Sequence, residues 1–193
     1  MKTRIVTRTL VLVGLMLNLG VAGVYAQQKP VRMTFSGTLE PTTVNLQPST
    51  NTDQENLAGN GSLGSFTLRE LHADIASPQP SSTCSGPTHL YFPTVTGAGV
   101  FRFQDGSLLT VKVTQGAICI DLSARMAHLT EIYQITGGTG RFKGASGALT
   151  LMATLIPVLF NASNGVELAT MTGEFEGTVF GVARGEDGQD ERH

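Results

Sequence analysis

The sequence predicts an all-β fold, an eight-stranded and mostly antiparallel up-and-down barrel. Apolar and polar residues alternate along short runs, which is the pattern of half-buried strands. Turn residues, including many of the 23 glycines and eight prolines, separate these runs. One stretch with helical spacing, residues 122–130, leads directly into a clear strand, so we interpret it as strand or irregular structure. We therefore expect no long helix.

The first half of the predicted domain contains two strands and two long loops. Alternating apolar residues from Val31 to Leu39 predict the first strand. The polar stretch that follows predicts a long exposed loop near residues 41–61. A second strand covers about residues 62–71. A stretch rich in proline and serine then predicts another long loop, residues 73–88.

The second half continues the alternation to the end of the domain. Strands are expected over residues 89–92 and 97–104, and Asp105-Gly106 predicts a hairpin turn. Further strand segments are expected at residues 109–113, 118–120, 131–136, 149–155 and 171–179. After them, residues 184–193 form a polar tail that we expect to be disordered.

The first and last strands have similar sequences, Phe-Ser-Gly-Thr at residues 35–38 and Phe-Glu-Gly-Thr at residues 175–178. If these two strands pair, the sheet closes into a barrel and has no free edge. We therefore expect residues 27–183 to form a single β-barrel domain.

The first 26 residues predict a cleaved signal peptide. Lys2, Arg4 and Arg8 precede an apolar run, and Ala26 stands at the cleavage position. The run is shorter than the roughly 20 apolar residues of a membrane span. We expect a secreted or periplasmic protein with no stable membrane insertion after cleavage. Cleavage removes three of the 13 basic residues and none of the 15 acidic ones, leaving 10 against 15, a net charge of −5. This balance argues against a nucleic-acid partner.

Cys84 and Cys119 are the two cysteines of the chain. In an exported protein such a pair favours a disulfide over two buried thiols. A zinc site that combines them with His89 and His128 is an alternative, but the short paired spacings of zinc sites are missing. We expect a disulfide, no metal and no cofactor.

A glycine-rich turn lies at residues 137–147, Gly-Gly-Thr-Gly-Arg-Phe-Lys-Gly-Ala-Ser-Gly. A dinucleotide-binding turn needs a preceding strand, a regular glycine spacing and a following helix. Here Gly144 lies one residue too far along, and the next segment alternates like a strand. The sequence therefore argues against a nucleotide site.

The same 11 residues resemble the glycine turn of the allene oxide cyclase and dirigent barrel superfamily, and more closely its small exported bacterial relatives. The resemblance extends loosely over residues 97–181. It implies an allene oxide cyclase-like, calycin-like barrel with an apolar interior, an inward-facing Phe142, and Arg141 and Lys143 facing water or capping a barrel end. It also implies a structural role, with positive φ, for Gly137, Gly138, Gly140, Gly144 and Gly147. The catalytic residues of the plant enzymes match no position here, so the resemblance implies no catalytic site.

Three functions stay open on the sequence. The first is an exported barrel that binds a small apolar ligand, the second an isomerase, cyclase or dirigent-like enzyme whose barrel positions a reactive intermediate. The third is a structural or surface-interaction domain with a packed lumen. A cavity of a few hundred Å3 with converging polar groups would favour the first two.

The candidate ligand-binding residues are Tyr91, Asp121 and Tyr133. The tyrosines could line the mouth of a barrel with their polar tips toward a ligand. Asp121 shares a strand face with Cys119. If that face is the lumen, Asp121 is a buried acid with a raised pKa; otherwise it lies at a strand end in water.

Overall fold

A computed structural model describes residues 28–161 and 165–183. These residues form eight strands and one turn of 3-10 helix, Gly140–Phe142. The strands are β1 (Lys29–Pro41), β2 (Thr50–Gly61), β3 (Phe66–Ile75), β4 (His89–Phe103), β5 (Leu108–Asp121), β6 (Met126–Gly138), β7 (Ser146–Phe160) and β8 (Val166–Phe180). Within this part of the chain, no helix has the length and apolar character needed to cross a membrane. The predicted signal peptide, residues 1–26, and the predicted tail, residues 184–193, lie outside the described residues.

The strands pair in chain order, and each neighbouring pair is antiparallel. β8 also pairs with β1, where Phe175 lies opposite Met33 and Gly173 opposite Phe35. The sheet therefore closes on itself. The predicted eight-stranded antiparallel barrel is confirmed, together with the pairing of its first and last strands.

The barrel has two ends, which we name by their features. The glycine-turn end carries the connections 62–65, 104–107 and 139–145. The disulfide end carries the connections 42–49, 76–88 and 122–125.

The predicted loop over residues 41–61 is wrong for most of its length, because Thr50–Gly61 forms β2. Thr52, Glu55 and Leu57 of this strand are buried, while most of its other residues are polar and at least partly exposed. Ladders with both β1 and β3 pair its backbone, so a polar outer face does not prevent strand formation. The second predicted loop, residues 73–88, also begins later, because β3 continues to Ile75.

Apolar side chains fill the half of the barrel nearest the glycine-turn end. The ring of Phe175 lies 4.8 Å from that of Phe35 and 5.1 Å from that of Phe101, measured between centroids. The other fully buried residues around them include Met33, Leu68, Leu109, Leu149, Leu151 and Met171. This half of the lumen is occupied by packed side chains.

The glycine-rich turn closes the same end. Gly137, Gly140, Gly144 and Gly147 have positive φ angles of 150°, 58°, 76° and 131°. Gly138 differs from the expectation, because its φ is not positive; a Cβ there would lie 2.4 Å from the carbonyl oxygen of Leu108. The turn therefore needs glycine at this position for close backbone approach.

Phe142 and Arg141 lie where the resemblance implied. Phe142 is fully buried, with its ring 4.7 Å from that of Phe103. The Arg141 guanidinium lies 4.6 Å from the Phe142 ring centroid, 4.9 Å from that of Phe103, and 3.0 Å from the Asp105 carboxylate. Arg141 thus caps the glycine-turn end, while Lys143 is exposed.

Candidate functional site

Ionisable side chains occupy the lumen between the phenylalanines and the disulfide end. On β3, the alternation that turns Phe66 and Leu68 inward also turns Glu70 and His72 inward. The neighbouring strand β2 and the more distant strand β6 add further buried polar residues. We call the six residues Glu55, Glu70, His72, Asp74, Glu131 and Tyr133 the lumenal cluster. None of them exposes more than 4% of its surface.

The imidazole of His72 lies at the centre of the lumenal cluster. Its Nδ1 is 3.8 Å from Oε1 of Glu55, 3.9 Å from Oε1 of Glu70 and 3.8 Å from Oε1 of Glu131. Its Nε2 points the other way and lies 3.5 Å from Oδ2 of Asp74. Three carboxyl groups from three different strands therefore face one ring nitrogen.

Hydroxyl groups hold the outer atoms of these carboxyl groups. The Tyr133 hydroxyl makes short hydrogen bonds to Oε2 of both Glu70 and Glu131. The Thr94 hydroxyl donates to Oδ1 of Asp74 at 2.6 Å. With their Oε2 atoms held by Tyr133, Glu70 and Glu131 keep their Oε1 atoms toward His72.

Glycines on the neighbouring strands make room for the lumenal cluster. Gly116 pairs with Glu131, and a Cβ on Gly116 would lie 2.9 Å from Cγ of Glu131 and 3.0 Å from Cβ of Thr94. Gly97 pairs with His72, and its Cβ would lie 2.9 Å from Cβ of His72. The absence of side chains at these positions is what allows the long polar side chains to fit inside the barrel.

Several atoms of the lumenal cluster are buried without a hydrogen-bond partner among the described residues. They are both carboxyl oxygens of Glu55, Oε1 of Glu70, Oε1 of Glu131 and both ring nitrogens of His72. Most buried polar atoms in proteins have a partner, because an unpaired one costs free energy. This group of atoms thus indicates a site that a further proton or ligand completes.

Burial raises the pKa of each lumenal glutamate. For Glu55, burial and then the charge of Glu131 raise the pKa to about 8. Burial and the charges of Glu131 and Glu55 raise the pKa of Glu70 well above its usual range. Burial also raises the pKa of Glu131, against the opposing charge of His72. The low polarity of the lumen thus favours the protonated acids.

The other two titrating groups hold their protons more tightly as well. Burial lowers the pKa of His72, but Glu131, Asp74 and Glu55 together outweigh it and leave this pKa well above its usual value. Burial and the charge of Glu131 raise the pKa of Tyr133. Near neutral pH the cluster therefore retains several protons.

The donor atoms of the cluster also suit a cation. Glu55, His72 and Glu131 offer ligand atoms that lie within 4.8 Å of one another, and so do Asp53, His72 and Asp74. Chemically, the site can exchange protons with a bound molecule or bind a metal ion.

The structure does not bring the three predicted ligand-binding residues together. Tyr133 belongs to the lumenal cluster. Tyr91 pairs with Cys119 on the face opposite to Ile118 and Ile120, which pack against the core, so Tyr91 faces the outside of the barrel. Asp121 ends β5 on that outer face.

Asp121 lies at a strand end, as the sequence favoured, so the raised pKa that a lumenal position would give does not arise. The carboxylate accepts hydrogen bonds from the Ser123 hydroxyl at 2.7 Å, the Thr88 hydroxyl at 3.1 Å and the Ala124 amide at 3.2 Å. These bonds stabilise the charged form and lower the pKa to about 2. Asp121 therefore shapes the β5–β6 turn.

The predicted disulfide between Cys84 and Cys119 is confirmed. It fastens the 76–88 connection to the outer face of β5. Beside it lies an open groove of about 400 Å3, lined by residues that include Tyr91, His128 and Ile132. Because both thiols are bonded, the alternative zinc site that needed them as ligands is excluded.

Sequence reasoning missed most of the lumenal cluster. Glu70 and His72 share strand parity with Phe66 and Leu68, so charged residues at inward positions were the available signal. Glu131 likewise lies between Leu129 and Tyr133 in the alternation. Glu55 carried no such signal, because its strand has a polar sequence and was assigned to a loop.

No protein-family model and no curated protein matches the sequence. Two solved structures of pterocarpan synthase dirigent proteins are similar to the chain. PsPTS1 is 14% identical with a TM-score of 0.42, over 83% of this chain and 99% of that one. GePTS1 is 15% identical with a TM-score of 0.40, over 84% of this chain and 90% of that one. The similarity concerns the fold only, and the assignment of the barrel rests on this chain's own strand pairing.

Proposed function

We propose that this protein is an exported barrel that binds a small, largely apolar molecule at its disulfide end. The lumenal cluster forms the floor of the binding site. The disulfide supports the export, because such bonds are typical of oxidising compartments.

The observation that carries this proposal is an incompletely covered apolar surface inside the disulfide end. Leu90 pairs with Ile120 and Phe92 with Ile118, so these four side chains share the inward face. Each is only half-buried, whereas the phenylalanines at the other end of the barrel are buried. Apolar surface that the described residues leave partly uncovered suits the body of an apolar ligand.

The lumenal cluster supplies the polar contacts of such a site. Glu131 pairs with Gly116. Gly116 lies two residues deeper along β5 than Ile118, which places it about 7 Å further into the barrel. A bound molecule would thus meet apolar walls first and polar groups at the floor, the usual division of roles in small-molecule sites.

A neutral fluorescent probe tests the proposal. N-phenyl-1-naphthylamine should bind the chelator-treated protein with a rise in fluorescence. Ile120→Ser should weaken this binding about tenfold, because it removes apolar contact at the mouth. Ile132→Ser is the matched control, since Ile132 lines the outer groove and leaves the mouth intact.

An opposite ranking of the two variants, or no binding at all, would overturn the proposal. The first result would assign the ligand to the outer groove, and the second would favour a structural domain with a packed lumen. Native mass spectrometry of the protein from its own exported fraction then identifies any natural ligand.

An isomerase or cyclase is the second candidate function. It is favoured by the Tyr133 hydroxyl between two carboxyl groups at the floor, since proton donors and acceptors beside a bound molecule are what such a reaction needs. Once a ligand is identified, Tyr133→Phe should lower its turnover while Tyr91→Phe should not. Equal turnover in both variants would remove this candidate.

A further inference from the structure

Three unpartnered carboxyl oxygens of the lumenal cluster lie around one ring nitrogen. Nδ1 of His72 has three oxygens at 3.8–3.9 Å, each from a different glutamate. All four of these atoms are buried and lack a hydrogen-bond partner among the described residues. A distance near 3.8 Å is too long for a hydrogen bond but suits two ligands that share one metal ion.

We propose that the lumenal cluster binds one divalent first-row transition-metal ion through Nδ1 of His72 and one carboxylate oxygen each of Glu55, Glu70 and Glu131. The proposal goes beyond ligand binding at the mouth and does not depend on it. The ion would supply the missing partner of all four atoms and offset the negative charge that the three carboxyl groups acquire when they release their protons to bind it.

The distances are compatible with coordination after a small contraction. The three distances from Nδ1 to the carboxyl oxygens are 3.8–3.9 Å, whereas two ligands of a tetrahedral zinc ion lie about 3.4 Å apart. Zinc bonds to nitrogen and carboxylate oxygen are about 2.0–2.2 Å long. Inward movements of a few tenths of an ångström by the glutamate side chains would complete the site.

The donor set selects the kind of ion. One imidazole with carboxylates and no thiolate suits Zn²⁺, Mn²⁺ or Fe²⁺, whereas Ca²⁺ and Mg²⁺ prefer oxygen ligands alone. We therefore expect Zn²⁺ and Mn²⁺ to bind and Ca²⁺ to bind weakly.

The surroundings of the four atoms match those of metal sites. A ligating histidine usually donates its other ring N–H to a carboxylate, and Nε2 of His72 faces Asp74, which Thr94 in turn holds. Tyr133 holds the second oxygens of two of the proposed ligands, Glu70 and Glu131. Half-buried Asp53 lies with Asp74 on the other side of His72, where their carboxyl groups would attract an entering cation.

Metal binding is measured on the full chain expressed without an affinity tag. The protein is stripped with a chelator, incubated with Zn²⁺ or Mn²⁺, dialysed and analysed by plasma mass spectrometry, and affinities are taken from calorimetry. We expect one ion per chain. Glu131→Gln and His72→Gln should lower the affinity at least 100-fold, and Asp74→Asn about 10- to 100-fold because it removes an orienting partner.

Two variants serve as controls. Glu174→Gln changes an exposed glutamate of β8, and His128→Gln changes the histidine in the outer groove. Both should bind the ion like the wild type. Excess Zn²⁺ should also raise the thermal midpoint of the wild type by several degrees and leave that of Glu131→Gln unchanged.

Less than one ion per chain at micromolar Zn²⁺ and Mn²⁺ would overturn the proposal, as would equal binding by wild type and Glu131→Gln. Circular dichroism of the metal-free variants separates loss of ligands from loss of fold. The apolar probe is titrated into chelator-treated protein, so failure of the metal site and failure of the ligand site are distinguishable.

Discussion

At the scale of single residues, identical side chains have different roles because the barrel has two faces. Tyr133 and Tyr91 were candidates for one site. Tyr133 is fully buried, and its hydroxyl bonds two lumenal glutamates. Tyr91 faces the outer groove on the other side of the barrel wall. The face of the strand on which a residue lies decides between these two environments.

Removing the Tyr133 hydroxyl should be costly. Tyr133→Phe should lower the free energy of unfolding by about 1–3 kcal/mol, because two buried carboxyl groups lose their hydrogen-bond partner while the ring is kept. Urea denaturation measures the change. Tyr91→Phe is the matched control and should stay within about 0.5 kcal/mol of wild type. Equal effects of the two substitutions would contradict the role given to Tyr133.

At the scale of elements, the connections at the two ends are fixed by different means. The disulfide fastens the 76–88 connection to the outer face of β5, whereas close backbone packing holds the glycine-rich turn. The first is a covalent link outside the barrel wall. The second is part of the closure of the lumen.

Loss of the disulfide should lower stability without changing the barrel. The double variant Cys84→Ser, Cys119→Ser lacks the covalent link between two residues 35 positions apart. Its unfolded chain has more conformational freedom, so its free energy of unfolding should fall by about 2–4 kcal/mol. Its far-UV circular dichroism should match that of wild type, because the strand ladders do not need the bond. Wild type under reducing conditions should behave like the variant. Labelling of both cysteines in unreduced protein would contradict the bond itself.

Two glycines of the 139–145 connection provide a matched pair of substitutions. Gly140→Ala should destabilise more than Gly144→Ala in urea denaturation. Both positions have positive φ, which costs a non-glycine residue about 1–2 kcal/mol. A Cβ at Gly140 would also lie 2.4 Å from Oγ of Ser107, whereas one at Gly144 would meet nothing within 4 Å. Equal losses would show that backbone strain alone matters in this turn.

At the scale of the whole molecule, the lumen holds two kinds of buried side chains, an apolar set and the ionisable lumenal cluster. The first stabilises the barrel by burying phenylalanine, leucine and methionine side chains. The second costs stability, because charged groups lose their hydration on burial. Such a cost is commonly found at functional sites.

This division predicts an unusual pH dependence. In chelator-treated protein, the free energy of unfolding should fall as the pH rises from about 4.5 to about 8. Glu55 keeps its proton to about pH 8 in the folded barrel and loses it near 4.5 when unfolded, so the folded state binds more protons over this range. The groups that face Glu55 are Glu131, His72, Asp53, Asp74 and its cross-strand partner Glu70. The raised pKa values of Glu70, Glu131 and His72 act in the same direction.

Urea denaturation at a series of pH values measures this dependence. Glu55→Gln should give a shallower slope, because one titrating group is removed at nearly constant volume. Glu174→Gln, on the outer face of β8, should give the wild-type slope. A stability that stays constant or rises between pH 5 and pH 8 would contradict the burial of these acids in the metal-free protein.

The sequence by itself predicted the fold class and favoured both the pairing of β1 with β8 and the bond between Cys84 and Cys119, because alternation, turn residues, similar end strands and cysteine usage are visible without the structure. It did not reveal β2, because the polar sequence of this strand resembles that of a loop. Only the pairing with β1 and β3 identifies it as a strand. Only the tertiary structure decided the site. Glu55 and Glu70 are cross-strand partners in the β2–β3 hairpin, but Glu131 lies far along the chain on β6. Only the closed barrel, with Gly97 and Gly116 leaving room, brings it to His72 beside them.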